Sequence, residues 1–165
     1  MTSDTRPDSA ARSVPCGPLA LAPEAPCAAP LCVPAALESL DRVAEFVLGV
    51  GRAGGLDGGA LYRLRLAADE LATNIVMHGY RGAPGHLTVS GGVDADRVWV
   101  RFEDAAPAFD PRRGMHAPDL AVPLAEREVG GLGVFLALTA VDSFSYELLD
   151  GRNVSTLALR RGLHE

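Results

Sequence analysis

Ala68-Asp69-Glu70-Leu71-Ala72-Thr73-Asn74-Ile75-Val76-Met77-His78-Gly79 is the stretch on which the reading of this chain turns. Leu71 and Ile75 continue an apolar row begun by Leu61, Leu64 and Ala68, and this spacing predicts a helix over about 58–78 with Gly79 ending it. Glu70, Asn74 and His78 recur every four residues, so on a helix they form a polar stripe drifting slowly around the axis beside the core row. Polar groups that close to a core are solvated, paired or coordinating something. A carboxylate one turn from a carboxamide offers a proton acceptor, or a holder of metal-bound water, next to an oxygen ligand for Mg²⁺. Taken alone, the stripe reads sooner as a solvated face carrying an incidental Asn. His78 reads as a helix-end or pocket-wall residue rather than a catalyst.

Working outward, a short strand near 29–33 and an amphipathic helix over about 35–50 precede this helix, with Leu37, Leu40, Val43, Ala44, Val47 and Leu48 in its apolar stripe. Gly51, Gly54 and Gly55 stop it. Downstream, strands are predicted at 86–91 and 97–103, the second alternating Val98, Val100 and Phe102 against Trp99 and Arg101. Residues 105–129 hold five prolines or glycines and no sustained period, which in a compact domain marks a functional lid or a disordered segment. A helix over 132–141 and strands near 143–149 and 154–160 complete the chain. Strand, two helices, two strands, lid, helix, two strands: that order predicts an α+β fold, a two-layer α/β sandwich whose mixed, mostly antiparallel sheet is covered on one face by helices.

Two further segments carry chemistry. Asp104 ends a predicted strand, where a carboxylate can point into a pocket mouth and accept a hydrogen bond from an exocyclic amine; alone it reads as well as a turn-initiating Asp. Gly130-Gly131-Leu132-Gly133 directly precedes an apolar helix. Glycines there allow close backbone approach, and the unpaired N–H groups of a helix start favour phosphate. The same glycines also suit a hinge for the lid. The pattern is neither a P-loop nor a dinucleotide fingerprint.

Composition narrows the classes. The chain has 165 residues, 48% of them hydrophobic, and a net charge of −6. One domain is the default at that length, and the charge argues against nucleic-acid binding. All fifteen basic residues are Arg, which excludes lysine-based phosphate or Schiff-base chemistry. Cys16, Cys27 and Cys32 support neither a disulfide framework nor a zinc site. No apolar run has the length of a membrane span, and five prolines between Ser13 and Pro30 spoil a signal-peptide core. The expectation is a cytoplasmic protein without membrane or nucleic-acid partners, with a flexible Pro/Ala-rich tail over 1–27 and one domain over 28–165.

Together the three segments resemble the N box and the two glycine boxes of the GHKL (Bergerat-fold) ATPases, and most of all the small anti-sigma-factor serine kinases of bacterial partner-switching systems. The resemblance covers about 29–160 and includes His78-Gly79-Tyr80, Phe109-Asp110-Pro111, Asp142, Tyr146 and Gly151-Arg152-Asn153. It implies ATP and Mg²⁺ as cofactors, Asn74 as the metal ligand and Glu70 as general base toward a serine hydroxyl. Asp104 would bind the adenine amine, with His78, Ala106, Phe109 and the Gly130, Gly131, Leu132 and Gly133 run completing the nucleotide site. The segment from about Arg112 to Val129 would be the lid. It further implies a homodimer whose partners are a STAS-domain antagonist, the phosphorylation substrate, and a sigma factor or other regulatory target.

One position departs from the pattern. Where the family has Asp-x-Gly, this chain has Asp104-Ala105-Ala106, and a methyl group there can crowd an adenine pocket. That departure sustains the alternative of an ATP-binding module that sequesters a partner without phosphorylating it. A third reading is an ATPase whose output is hydrolysis.

Overall fold

A computed structural model describes residues 28–113 and 132–162. The predicted tail, most of the predicted lid, Gly130 and Gly131 lie outside them.

The described chain runs β1 (Leu31–Pro34), a 3-10 turn (Leu37–Ser39), α1 (Leu40–Ala53), α2 (Gly58–Asn74), a π-helical turn (Ile75–Tyr80), β2 (His86–Val93), β3 (Arg97–Asp104), α3 (Leu132–Thr139), β4 (Ser143–Leu149) and β5 (Arg152–Arg160). The strands form one sheet in the order β1-β2-β3-β5-β4. Every pairing is antiparallel. The α+β sandwich stands, but the parallel component of the predicted mixed sheet has no counterpart among the described residues. Two hairpins fix their own pairs antiparallel, and the path through α3 and β4 returns β5 beside β3 in the opposite sense.

Local chemistry sets the helix ends. Pro34 ends β1, and a 3-10 turn takes the place of the first turn predicted for α1. That helix runs on past Val50 and closes in a Schellman motif, with Leu56 N–H donating to Gly51 O (3.1 Å), Gly55 N–H to Arg52 O (3.0 Å), and Gly55 at φ +72°. Gly51 is therefore inside the helix, where a Cβ would come within 2.5 Å of Leu61 Cδ1 on α2. Asp57 caps α2, its carboxylate accepting from Ala60 N–H at 2.8 Å. The α1 helix also seats closely on the sheet, since a Cβ at Gly91 would meet Val50 at 2.7 Å.

The core lies between helices and sheet. Val98, Val100 and Phe102 are fully buried on the helix side of β3, against Val47, Leu64 and Leu71. Trp99 lies on the opposite face beside Gly92, its indole N–H donating to Asp94 at 3.0 Å. Cys32 on β1 is disulfide-bonded, which the cysteine spacing did not predict. No described helix is long and apolar enough to cross a membrane.

Candidate functional site

A cleft of about 300 Å³, open to solvent, lies between the end of α2 and the ends of β3 and β5. Leu71, Asn74, Ile75 and Gly79 form one wall; Asp104, Ala106, Pro107, Phe109 and Pro111 form the second; Asn153 and Ser155 close the back.

Asp104 is the buried charge of the cleft, 4% exposed at the last position of β3. Its Oδ1 accepts from the Ala106 N–H (3.0 Å) and from Asn153 Nδ2 (2.8 Å). Burial pushes its carboxyl above the usual carboxylate range, and these two donors pull it part of the way back. No described residue donates to Oδ2. No buried side-chain oxygen lacks a partner among the described residues, so this oxygen faces the cleft.

Asn153 sits opposite Asp104 in the β3–β5 ladder. Its Oδ1 accepts from Tyr146 OH (2.7 Å) and Phe109 N–H (3.1 Å). Its Nδ2 also donates to the carbonyls of Ala106 (3.1 Å) and Pro107 (3.3 Å). One amide thus fixes the acid and the segment that follows it.

Ala106 is 4% exposed. Its methyl faces Gly79, where a Cβ would lie 3.3 Å from it. Tyr80, two residues past His78, donates to His86 O (2.8 Å) and accepts from Ala105 N–H (2.9 Å), joining the π turn to β2 and to the same segment.

The remaining candidates divide. Asn74 lines the cleft and Glu70 stands one turn earlier on α2. A Cβ on Gly133 would come within 2.6 Å of Glu70 Oε2, so the carboxylate lies directly against the α3 backbone. Glu70 makes no ion pair among the described residues. His78 is exposed and does not line the cleft. The regular helix gives way after Asn74 to the wider π turn, so the four-residue stripe does not carry His78 round to the pocket. Phe109 lines the cleft while 45% exposed. Leu132 opens α3, and Gly130 and Gly131 fall outside the described residues. Of the expected lid, only Arg112 and Arg113 are described; Arg112 forks onto Asp110 at 2.8–3.2 Å and holds that carboxyl below its ordinary range.

The family described as "Histidine kinase-like ATPase domain" matches residues 33–159, from β1 to β5. The chain belongs to this family. Among curated relatives of this ATPase, the serine-protein kinase RsbW of Bacillus cereus is 26% identical over 74% of this chain and 78% of its own length. The RsbW of Listeria monocytogenes is 31% identical over 64% and 70%. The serine/threonine-protein kinase BtrW of Bordetella bronchiseptica is 32% identical over 58% and 68%. The chain groups with protein serine kinases, as the three sequence segments imply.

The donor set of this ATPase domain fits a nucleotide carrying Mg²⁺. Apolar walls from Leu71, Ile75 and Pro107 suit a flat ring, and Asp104 Oδ2 offers one acceptor at its edge. No cluster of three or more His, Cys, Asp or Glu able to cage a metal occurs among the described residues. A metal held at Asn74 would need to take most of its ligands from phosphate and water, as Mg²⁺ does.

Sequence reasoning undervalued Asn153, Tyr80 and Ser155 as site residues. The signal available was Asp150-Gly151, a two-residue turn with φ +51° and +76°. Read as the whole hairpin loop, it starts β5 at Arg152 instead of Val154 and brings Asn153 into the ladder beside Asp104.

Proposed function

We propose that this chain is a Mg²⁺·ATP-dependent serine kinase of a cytoplasmic partner-switching system. It phosphorylates a STAS-domain antagonist and, as a homodimer, binds a sigma factor or other regulatory target in alternation with that antagonist. The observation that carries this reading is the buried Asp104, with one oxygen held by Asn153 and Ala106 and the other facing a cleft that Asn74 also lines. The kinase names of the relatives supply the acceptor class.

Mg²⁺·ATP supplies the transferable phosphoryl group. Asp104 accepts the hydrogen bond of the adenine amine, and Asn74 gives an oxygen to the metal. Glu70, unpaired among described residues and set against α3, takes the proton that the acceptor serine loses. Phosphoryl transfer asks mainly for positioning and charge neutralisation, which such a site provides. The sequestering alternative rests on Ala106, whose methyl packs against Gly79 without closing the cleft.

The test is transfer of labelled phosphate from ATP to a STAS-domain protein by wild type and Glu70→Gln. Loss of a general base predicts a fall of about a hundredfold or more with ATP affinity retained. Undiminished transfer contradicts the assignment of Glu70.

A further inference from the structure

Asn153 is the most heavily engaged side chain of the cleft, and its orientation is set by its partners. A backbone N–H and a phenol meet one end; two backbone carbonyls and a carboxylate oxygen meet the other. Only Oδ1 accepts from the first pair and only Nδ2 donates to the second. The planar amide is 5% exposed and leaves no group unsatisfied.

We infer that Asn153 is the positioning residue that makes this cleft select a 6-amino purine over a 6-oxo purine. The inference rests on the nucleotide reading of the site and adds a determinant of base choice to it.

With Asn153 Nδ2 and the Ala106 N–H both on Oδ1, Asp104 turns only Oδ2 to the cleft. Burial favours the neutral acid, and both donors work against it by favouring the ionised carboxylate. An ionised carboxylate accepts hydrogen bonds and donates none, so it pairs with a ring amine and repels a ring carbonyl. Removal of the Asn153 donor lowers the cost of protonating Asp104. A protonated Asp104 donates, and a carbonyl then becomes an acceptable partner. The titratable groups facing Asp104 are the Tyr80 and Tyr146 phenols, both pushed above 10 and therefore neutral across the useful pH range.

The experiment titrates wild type, Asn153→Ala and Tyr146→Phe with Mg²⁺·ATP and Mg²⁺·GTP by calorimetry from pH 5 to pH 8. Loss of one hydrogen bond to a charged group predicts that Asn153→Ala weakens ATP by about tenfold or more. GTP affinity holds or rises, so the ATP:GTP ratio narrows. On acidification the variant loses ATP affinity at a higher pH than wild type, because its Asp104 protonates earlier. Tyr146→Phe, which keeps the amide in place, shifts the ratio the same way by less, and it decides the matter if Asn153→Ala does not fold. Parallel losses of ATP and GTP with an unmoved pH profile make Asn153 a structural brace and overturn the inference. Wild type binding neither nucleotide overturns the nucleotide reading itself, a separate result.

Discussion

Ala106 and Gly79 pack against each other. The methyl of Ala106 fits because position 79 has none. Adding a methyl at 79 places it 3.3 Å from that of Ala106, tighter than most side-chain contacts, so one of the two must give by a few tenths of an ångström. Gly79→Ala should therefore weaken ATP binding and lower stability, and Ala106→Gly in the same chain should restore both. Calorimetry and thermal melts on the single and double variants check the coupling; equal effects of Gly79→Ala in both backgrounds contradict it. Asp104 carries a different trade. Its folded pKa lies above the unfolded value, so the ionised group destabilises the fold at neutral pH, and that penalty disappears as pH falls through the folded pKa toward the unfolded one. Asp104→Asn should melt higher than wild type at pH 7, with the advantage shrinking on acidification, while ATP binding is lost. A lower melting temperature at pH 7 contradicts the buried-charge reading. None of this is visible from Asp104-Ala105-Ala106 as letters, because what Ala106 meets is decided by a residue 27 positions earlier.

At the scale of elements, the sequence located most of the structure and misread its ends. Period-two alternation over 97–103 reads directly as β3, since the sheet buries Val98, Val100 and Phe102 on one face. Helical spacing alone cannot report the π turn over Ile75–Tyr80, because the cause is tertiary. Tyr80 is 8% exposed, and its hydroxyl bridges His86 O and Ala105 N–H on two other segments. Arg81, at φ +52°, ends the turn, not Gly79. Tyr80→Phe leaves the ring packed but strips the bridge from the Ala105 N–H. The expected loss is about 1–3 kcal/mol, read from denaturant midpoints, with a parallel weakening of nucleotide binding because Ala105 precedes the cleft wall. A variant as stable as wild type contradicts the bridging role.

For the whole molecule, three segments far apart in the chain had to be brought to one place, and only the fold does that. The β3–β5 pairing sets Asp104 beside Asn153, the α2–core packing turns Asn74 toward the same space, and α3 returns with Gly133 against Glu70. Spacing and order made the nucleotide reading legible, because each segment carries a glycine, carboxylate or amide near a helix or strand end predicted from the sequence. The hydrogen-bond hub at Asn153 was not legible, since it depends on strand register. Binding of Mg²⁺·ATP through Asn74 is the step on which the proposed kinase activity depends. The most direct test is titration calorimetry of ATP into wild type and Asn74→Ala, with Mg²⁺ and with chelator. Saturable wild-type binding is expected, weakened about tenfold or more by either change, a loss of about 1.4 kcal/mol or more, with no further loss when both are made. ATP affinity indifferent to both Mg²⁺ and Asn74, or no binding by wild type, contradicts it.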